Sequence, residues 1–265
     1  MLKDITLGQF FPGDTPAHRL DPRTKILLLV VYIVALFLAA GWVGYGVMLL
    51  VTALCMAVSH IHPRSIFKGL KPMLFIIVFT AALNLFYTKG TPIFPGWIIT
   101  WEGVERSVQM VLRIVLLIGG TFLLTYTTSP MALTDGMERL LSPLKKIGLP
   151  VHEMTMMMSM ALRFIPTLIE ETDKIMSAQK ARGADFENGS LLQRAKALLP
   201  ILIPLFVSSF RRADELAVAM ESRCYHGGGG RTRMKQLHFQ ALDLWALLLG
   251  AALLAGMIVL KHLGL

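Results

Sequence analysis

The stretch DKIMSAQKARGADF, Asp173 to Phe186, has a near-copy in DELAVAMESRCYHG, Asp214 to Gly227, aligned without a gap at an offset of 41 residues. Asp173 matches Asp214, Ile175 matches Leu216, Ala178 matches Ala219 and Arg182 matches Arg223. Beside the arginines, Ala181 and Gly183 become Ser222 and Cys224, small residues in both copies. Positions 175, 178 and 182 fall on one helical face, as do 216, 219 and 223. An aliphatic residue, an alanine and an arginine therefore line up toward each end. Gly183 suits the left-handed position after a helix C-terminus, and an arginine there complements the helix dipole. Cys224 is a poor choice for that position, so capping does not account for the second copy. The small neighbours leave each guanidinium uncrowded, and its planar fork can hold a carboxylate through two parallel hydrogen bonds. The two copies read as plugs for acidic sockets, with Ala181, Arg182, Gly183, Ser222, Arg223 and Cys224 as the docking residues.

Each copy ends a long helical pattern. Between residues 151 and 182, Met157, Met160, Phe164, Leu168 and Ile175 recur at spacings of three, four or seven, and Glu170 and Lys174 stand at i,i+4. Ser190 and Gln193 form the capping-box pattern of a second helix that runs to about residue 223. Pro166, Pro200 and Pro204 should kink or divide these helices. The cluster HEMTMMMSM, 152–160, fits ordinary packing or a repackable surface that tolerates sliding, because methionine is flexible and polarizable. Upstream, Ser129 and Ser142 are placed to cap short helices, each followed by a proline at the first helical position.

The rest of the chain is built for lipid. Of 265 residues, 54% are hydrophobic and only 16% charged, where a soluble domain is nearer a quarter charged. Five apolar runs, about 26–40, 43–58, 73–87, 109–126 and 244–260, approach the length needed to cross a bilayer. Gly41-Trp42 between the first two reads as a tight helical hairpin, and Trp42, Trp97 and Trp101 sit beside span ends, where indoles favour the interface. Lys3, Arg19, Arg23 and Lys25 precede the first run, and Arg64, Lys68 and Lys71 lie between the second and third. Basic loops stay in the cytoplasm, so the N-terminus and the region 129–239 are expected inside and the C-terminus outside. The expected fold class is an all-α integral membrane protein, with four membrane helices in 1–128, a cytoplasmic or interfacial coupling-helix region at 129–239 and a last membrane helix in 240–265.

Reaction chemistry is not apparent. GGGG, 227–230, lacks the Lys-Ser/Thr and the preceding strand of a phosphate loop, and reads as a flexible joint before the last span. His60 and His62 have no supporting metal ligands nearby, and the two cysteines, Cys55 and Cys224, make no disulfide framework. Arg113 within a span is expected to snorkel outward or to face the bundle interior. The net charge of +9 belongs to cytoplasmic loops rather than to a nucleic-acid surface, because the long helices also carry Glu170, Glu171, Asp173, Asp214, Glu215 and Glu221. A self-contained secondary transporter or channel would need ionisable residues along a path near the midplane, and few are seen.

LDPRTK at 20–25, LRFIP at 162–166, AQKARG at 178–183 and ESRC at 221–224 carry a resemblance. The chain resembles the transmembrane coupling subunit, or T component, of energy-coupling factor (ECF) transporters, over nearly its whole length and in order; Ser-Arg-Cys departs from the repeated Ala-Arg-Gly. The resemblance implies a non-catalytic transport subunit in a bacterial plasma membrane, joined to two ABC-type ATPase subunits and to a substrate-binding S component that delivers a vitamin or metal ion. Arg182 and Arg223 would each enter an acidic groove on one ATPase, and Met156, Met157, Met160 and Phe164 would lie in the surface under the S component. Cofactors would not bind this chain: ATP and Mg would be used by the partner ATPases, and no nucleic acid would be involved.

Overall fold

The computed structural model describes residues 10–92, 99–186, 190–227 and 237–263. They form α1 (Pro16–Arg19), α2 (Pro22–Leu38), α3 (Gly41–Ser59), α4 (Pro63–Leu70), α5 (Leu74–Tyr87), α6 (Trp101–Thr127), α7 (Pro130–Leu141), α8 (Val151–Ala181), α9 (Leu191–Ser222) and α10 (Ala241–His262). Short 3-10 segments, Lys71–Met73 and Ser142–Ile147, join α4 to α5 and follow α7. Among the described residues the β pairing is confined to one isolated bridge, Pro92 to Thr100. The fold is all-α. Lipid offers nothing to an unpaired backbone group, and a helix satisfies its own ladder within one segment.

The chain forms two compact units, one built from Gly8–Leu140 and Gln236–Leu265, the other containing Leu141–Lys235. Among the described residues of the first, four helical stretches are long and apolar enough to cross a membrane: Gly41–Ser59, Pro63–Tyr87, Trp101–Thr127 and Ala241–His262. The fifth apolar run is α2, whose 17 residues span about 26 Å, at the short edge of the bilayer core. α2 stops at Leu38 and α3 starts at Gly41, which takes a left-handed φ of 69° and makes the hairpin turn tight. The third span begins earlier than its apolar run. α4 is amphipathic, with Ile66 and Leu70 buried and Arg64 and Lys68 exposed, and it continues through Pro72 into α5.

The core of this unit joins α2, α3, α6 and α10 through Leu36, Met48, Leu116 and Met257. The Tyr32 hydroxyl meets the Leu116 carbonyl at 3.0 Å and Thr52 Oγ1 at 2.8 Å, and Gly120 leaves room for its ring. Arg113 faces inward rather than snorkelling: its guanidinium lies 5.7 Å from the ring centroids of both Phe37 and Tyr45. Asn84 donates to the Thr80 carbonyl one turn back at 2.9 Å. Phe75, Leu248 and Leu249 stay more than half exposed, as lipid-facing residues do. Trp42 donates to Glu105 at 2.9 Å and Trp101 is exposed; Trp97 lies outside the described residues, as do 228–236 with most of the glycine run.

A buried polar knot ties α2 to α10. Asp243 is fully buried, and its carboxylate accepts two backbone N–H groups at 2.8 Å, from Asp21 at the start of α2 and from Gln240 at the start of α10. Asp21 caps α2 by accepting from the Arg23 N–H at 2.9 Å and also pairs with the Arg23 guanidinium at 3.0 Å. Arg23 continues to the Leu237 carbonyl and lies over the Phe239 ring, while Lys25 donates to the carbonyls of His18 and Thr127. The basic residues before the first span thus also serve as joints. The N–H groups of Asp21, Arg23 and Gln240 at these two helix starts are met by the two carboxylates.

In α7, Ser129 accepts from the Ala132 N–H at 3.3 Å, as its spacing predicts. Ser142 does not occupy a cap position: the turn it begins is 3-10, and Leu141 precedes it. Replacing Asp243 by Ala strands the buried Asp21 N–H and removes the partner of the half-buried Gln240 N–H, and should cost about 1–3 kcal/mol. Thermal unfolding of the detergent-solubilised protein should register this, while Leu249→Ala, on the lipid face, stays near wild type.

Candidate functional site

The unit containing Leu141–Lys235 is built on α8 and α9. Gly148, with φ of 86°, ends the 3-10 turn, and Pro150 precedes α8. α8 has 31 residues and α9 has 32, about 47 and 48 Å of helix. Pro166, Pro200 and Pro204 lie inside them without dividing them. Each proline ring forfeits one backbone bond, and all three face outward, where water or lipid headgroups can meet the freed carbonyl. The Ser190–Gln193 capping box is formed at the start of α9, with both of its hydrogen bonds present.

The two tips share one backbone device. After α8, Gly183 takes φ of 88°; its N–H bonds the Lys180 carbonyl at 3.0 Å, and the Ala184 N–H bonds the Gln179 carbonyl at 3.0 Å. After α9, Cys224 takes φ of 57°; its N–H bonds the Glu221 carbonyl at 2.8 Å, and the Tyr225 N–H bonds the Met220 carbonyl at 3.0 Å. Both are Schellman caps with an arginine at the C-cap position. The sequence expectation that Cys224 would not serve as a left-handed cap is therefore wrong. A left-handed L-residue costs roughly 1–2 kcal/mol, but the cap's two hydrogen bonds offset that strain and cysteine is unbranched at Cβ. Capping accounts for Gly183 and Cys224. It leaves the choice of Arg182 and Arg223 unexplained.

Those two arginines are exposed together with Ala181, Gly183, Ser222 and Cys224. Neither guanidinium has a hydrogen bond or ion-pair partner among the described residues. An Ala181 methyl and the open space around Gly183 flank one; Ser222, whose hydroxyl turns back to the Val218 carbonyl at 2.7 Å, flanks the other. Both charges are uncrowded and ready for an incoming carboxylate.

The four residues expected in the other contact surface also come together. Met156, Met157, Met160 and Phe164, with Leu168, form one wall of a groove of about 370 Å³ whose other wall is Ser209, Arg212, Ala213, Leu216, Ala217 and Met220 of α9. The first half of α8 thus runs beside the second half of α9. Beyond the groove, Leu199, Leu202, Ile203, Phe206, Val207 and Phe210 leave a broad apolar surface on α9 exposed.

Polar contacts from α9 to α8 converge on Glu171. Arg212 Nη2 donates to Glu171 Oε2 at 3.0 Å. The Ser208 hydroxyl also bonds this carboxylate, and Ser208 first, then Arg212 and Lys174, hold its pKa below the ordinary glutamate range against the opposing effect of desolvation. Lys174 acts on Glu171; among the described residues no ion pair joins it to Glu170. Sequence reasoning named Glu171 only as an acidic residue and did not single out Arg212. The signal was available, since two residues before Asp173 and Asp214 the same offset of 41 sets Glu171 against Arg212. Asp243 carried no such signal, because its partner stands 222 residues away.

The family described as "Cobalt transport protein" (CbiQ) matches residues 13–235. The chain belongs to that family. The "Energy-coupling factor transporter transmembrane protein EcfT" of Clostridium kluyveri is 55% identical over 251 residues, covering 93% of each chain. The protein of the same name from Ruminiclostridium cellulolyticum is 54% identical over 246 residues, covering 92% of each, and that of Thermosediminibacter oceani is 51% identical over 264 residues, covering 99% of this chain and all of its relative. The matches extend from the membrane helices through both arginine tips. The family member described here is accordingly a multi-pass membrane protein and a transmembrane component of an energy-coupling factor transporter.

Two outcomes follow from the tip and crossing geometry. Cys224→Gly should keep the α9 cap, whereas Cys224→Val, β-branched at positive φ, should open it; trypsin cleavage after Arg223 should accelerate only in the valine variant. Glu171 has a folded pKa below its unfolded one, so its stabilisation is complete above the ordinary value of 4.5 and is lost as the pH falls through the depressed value. For so solvated a pair the effect is about 0.2–1 kcal/mol. Stability measured between pH 6 and pH 3 should fall less for Glu171→Gln than for wild type.

Proposed function

We propose that this chain is the energy-coupling subunit of an ECF-type ABC importer, linking ATP hydrolysis by two ABC-type ATPase subunits to uptake through a separate S component. Arg182 and Arg223, each with its small neighbours, dock into acidic grooves, one on each ATPase. Met156, Met157, Met160 and Phe164 contribute to the surface under the S component. The chain itself is non-catalytic and binds no cofactor; ATP and Mg stay with the ATPases. Its N-terminus and α8–α9 lie in the cytoplasm of a bacterial cell, and the cargo is a vitamin or metal ion that the S component selects.

The observation that carries this reading is the pair of matched tips. Two long helices end in the same cap, and each cap presents an exposed arginine that has no partner among the described residues. A lone transporter needs no such device, and the buried charges of the membrane unit, Asp21, Lys25 and Asp243, engage one another or backbone groups of the knot. Movement of the ATPase grooves on binding and hydrolysing ATP would reach the S component through α8 and α9.

The test is affinity purification in mild detergent with bound proteins identified by mass. Wild type should bring down two ATPase subunits. Arg182→Glu and Arg223→Glu should each weaken docking by about 2–5 kcal/mol, the usual cost of breaking a desolvated interfacial pair, and the double variant should lose the ATPases while remaining folded in the membrane. ATPases retained by the double variant would place docking elsewhere.

A further inference from the structure

The two copies of the repeat touch each other at one and the same position of the repeat. Glu171 and Arg212 are 41 residues apart, the offset that also relates Arg182 to Arg223. When two related helices cross about a local two-fold axis, a residue on the axis meets its own counterpart. The Glu171–Arg212 contact pairs two such counterparts. Each arginine tip then lies eleven residues beyond the contact on its own helix, about 16 Å of rise in both cases. Identical residues at such a position would set like charges together. Here the chain departs from its repeat: Glu170-Glu171 in one copy aligns with Arg211-Arg212 in the other, and Glu171 meets Arg212. Ser208 adds a hydrogen bond to Glu171 from the α9 side. The neighbouring groove walls are mostly methionine, leucine and alanine, with Phe164 and Ser209, and methionine adapts to more than one register.

We propose that Glu171 and Arg212 are positioning residues: their ion pair fixes the crossing of α8 and α9 so that both arginine tips engage the ATPase pair at once. This rests on the docking role given to the tips. Its physical basis is bivalency. When two sites are held at the spacing of their receptors, the second contact forms within the complex and raises avidity by about 10²–10⁴ over one contact. If the crossing slips, both arginines survive but the second contact becomes less probable. The pair therefore acts through Arg182 and Arg223 without touching the ATPases.

The test uses the full chain in detergent, with spin labels on cysteines replacing Ala178 and Ala219, in a Cys55→Ala, Cys224→Gly background. The wild-type crossing should give one narrow distance distribution between the labels. Glu171→Arg and Arg212→Glu should each broaden it and, in the unlabelled complex, speed ATPase dissociation on dilution about tenfold. The swap Glu171→Arg with Arg212→Glu should restore both. Glu171→Gln, which changes no sign of charge, supplies a milder step in the same direction if a reversal misfolds. A single reversal that leaves both distance and dissociation unchanged overturns the proposal, and so does a folded swap that restores neither. If wild type holds no ATPase at all, the docking role fails, and the label distances still decide whether the pair sets the crossing.

Discussion

In this fold, buried helix ends must be satisfied from within the protein. A spanning helix closes its own backbone ladder, but its first four N–H groups have no partner inside it. Where two such ends are packed together, as at the starts of α2 and α10, something must accept from both. Asp243 does so with its two carboxylate oxygens, and Asp21, Arg23 and Lys25 extend the contact to the carbonyls of Leu237, His18 and Thr127. α10 is thereby anchored to α2 at their starts, and the apolar packing of Leu36 and Met257 with Met48 and Leu116 lies farther along the same helices. In lipid, where apolar burial drives little association between helices, such polar joints and close packing carry the specificity.

The unit of α8 and α9 follows a different logic. Its helices are amphipathic, its apolar surface is in large part exposed, and each helix ends in an exposed arginine. A duplicated helix brought against its copy offers two equivalent ends at equal distances from the contact. That arrangement suits a partner that is itself a pair of similar subunits. Arginine tips, the Met-rich groove and the apolar surface of α9 would then be three parts of one lever. On the proposed reading, two of its faces would engage protein and its crossing would keep them in step.

Much of this was legible in the chain. The five apolar runs, the turn at Gly41, the capping box at Ser190 and the ends of α8 and α9 follow from local rules of hydropathy, glycine conformation and capping, and the structure follows those rules. The joint at Asp243 was not legible, because it depends on a partner across the whole length of the sequence. Arg113 was open between two readings, and only the positions of Phe37 and Tyr45 decide for the interior. Cys224 was misread. Residue preference argues against a left-handed cysteine, but two hydrogen bonds of the cap outweigh that preference. Both arginine tips were legible in the repeat, and the four groove residues were expected together through the family resemblance, while the Glu171–Arg212 contact lies at the same offset, two residues before Asp173 and Asp214.

The most direct measurement of the central claim is photo-crosslinking of the assembled complex from both tips, with a photoreactive residue at position 181 and a second at position 222 of the same chain. The account predicts a covalent product containing one copy of this chain and two ATPase subunits, one joined to each tip. Products in which both tips reach the same ATPase copy, or in which neither tip reaches an ATPase in a complex that contains them, would contradict it.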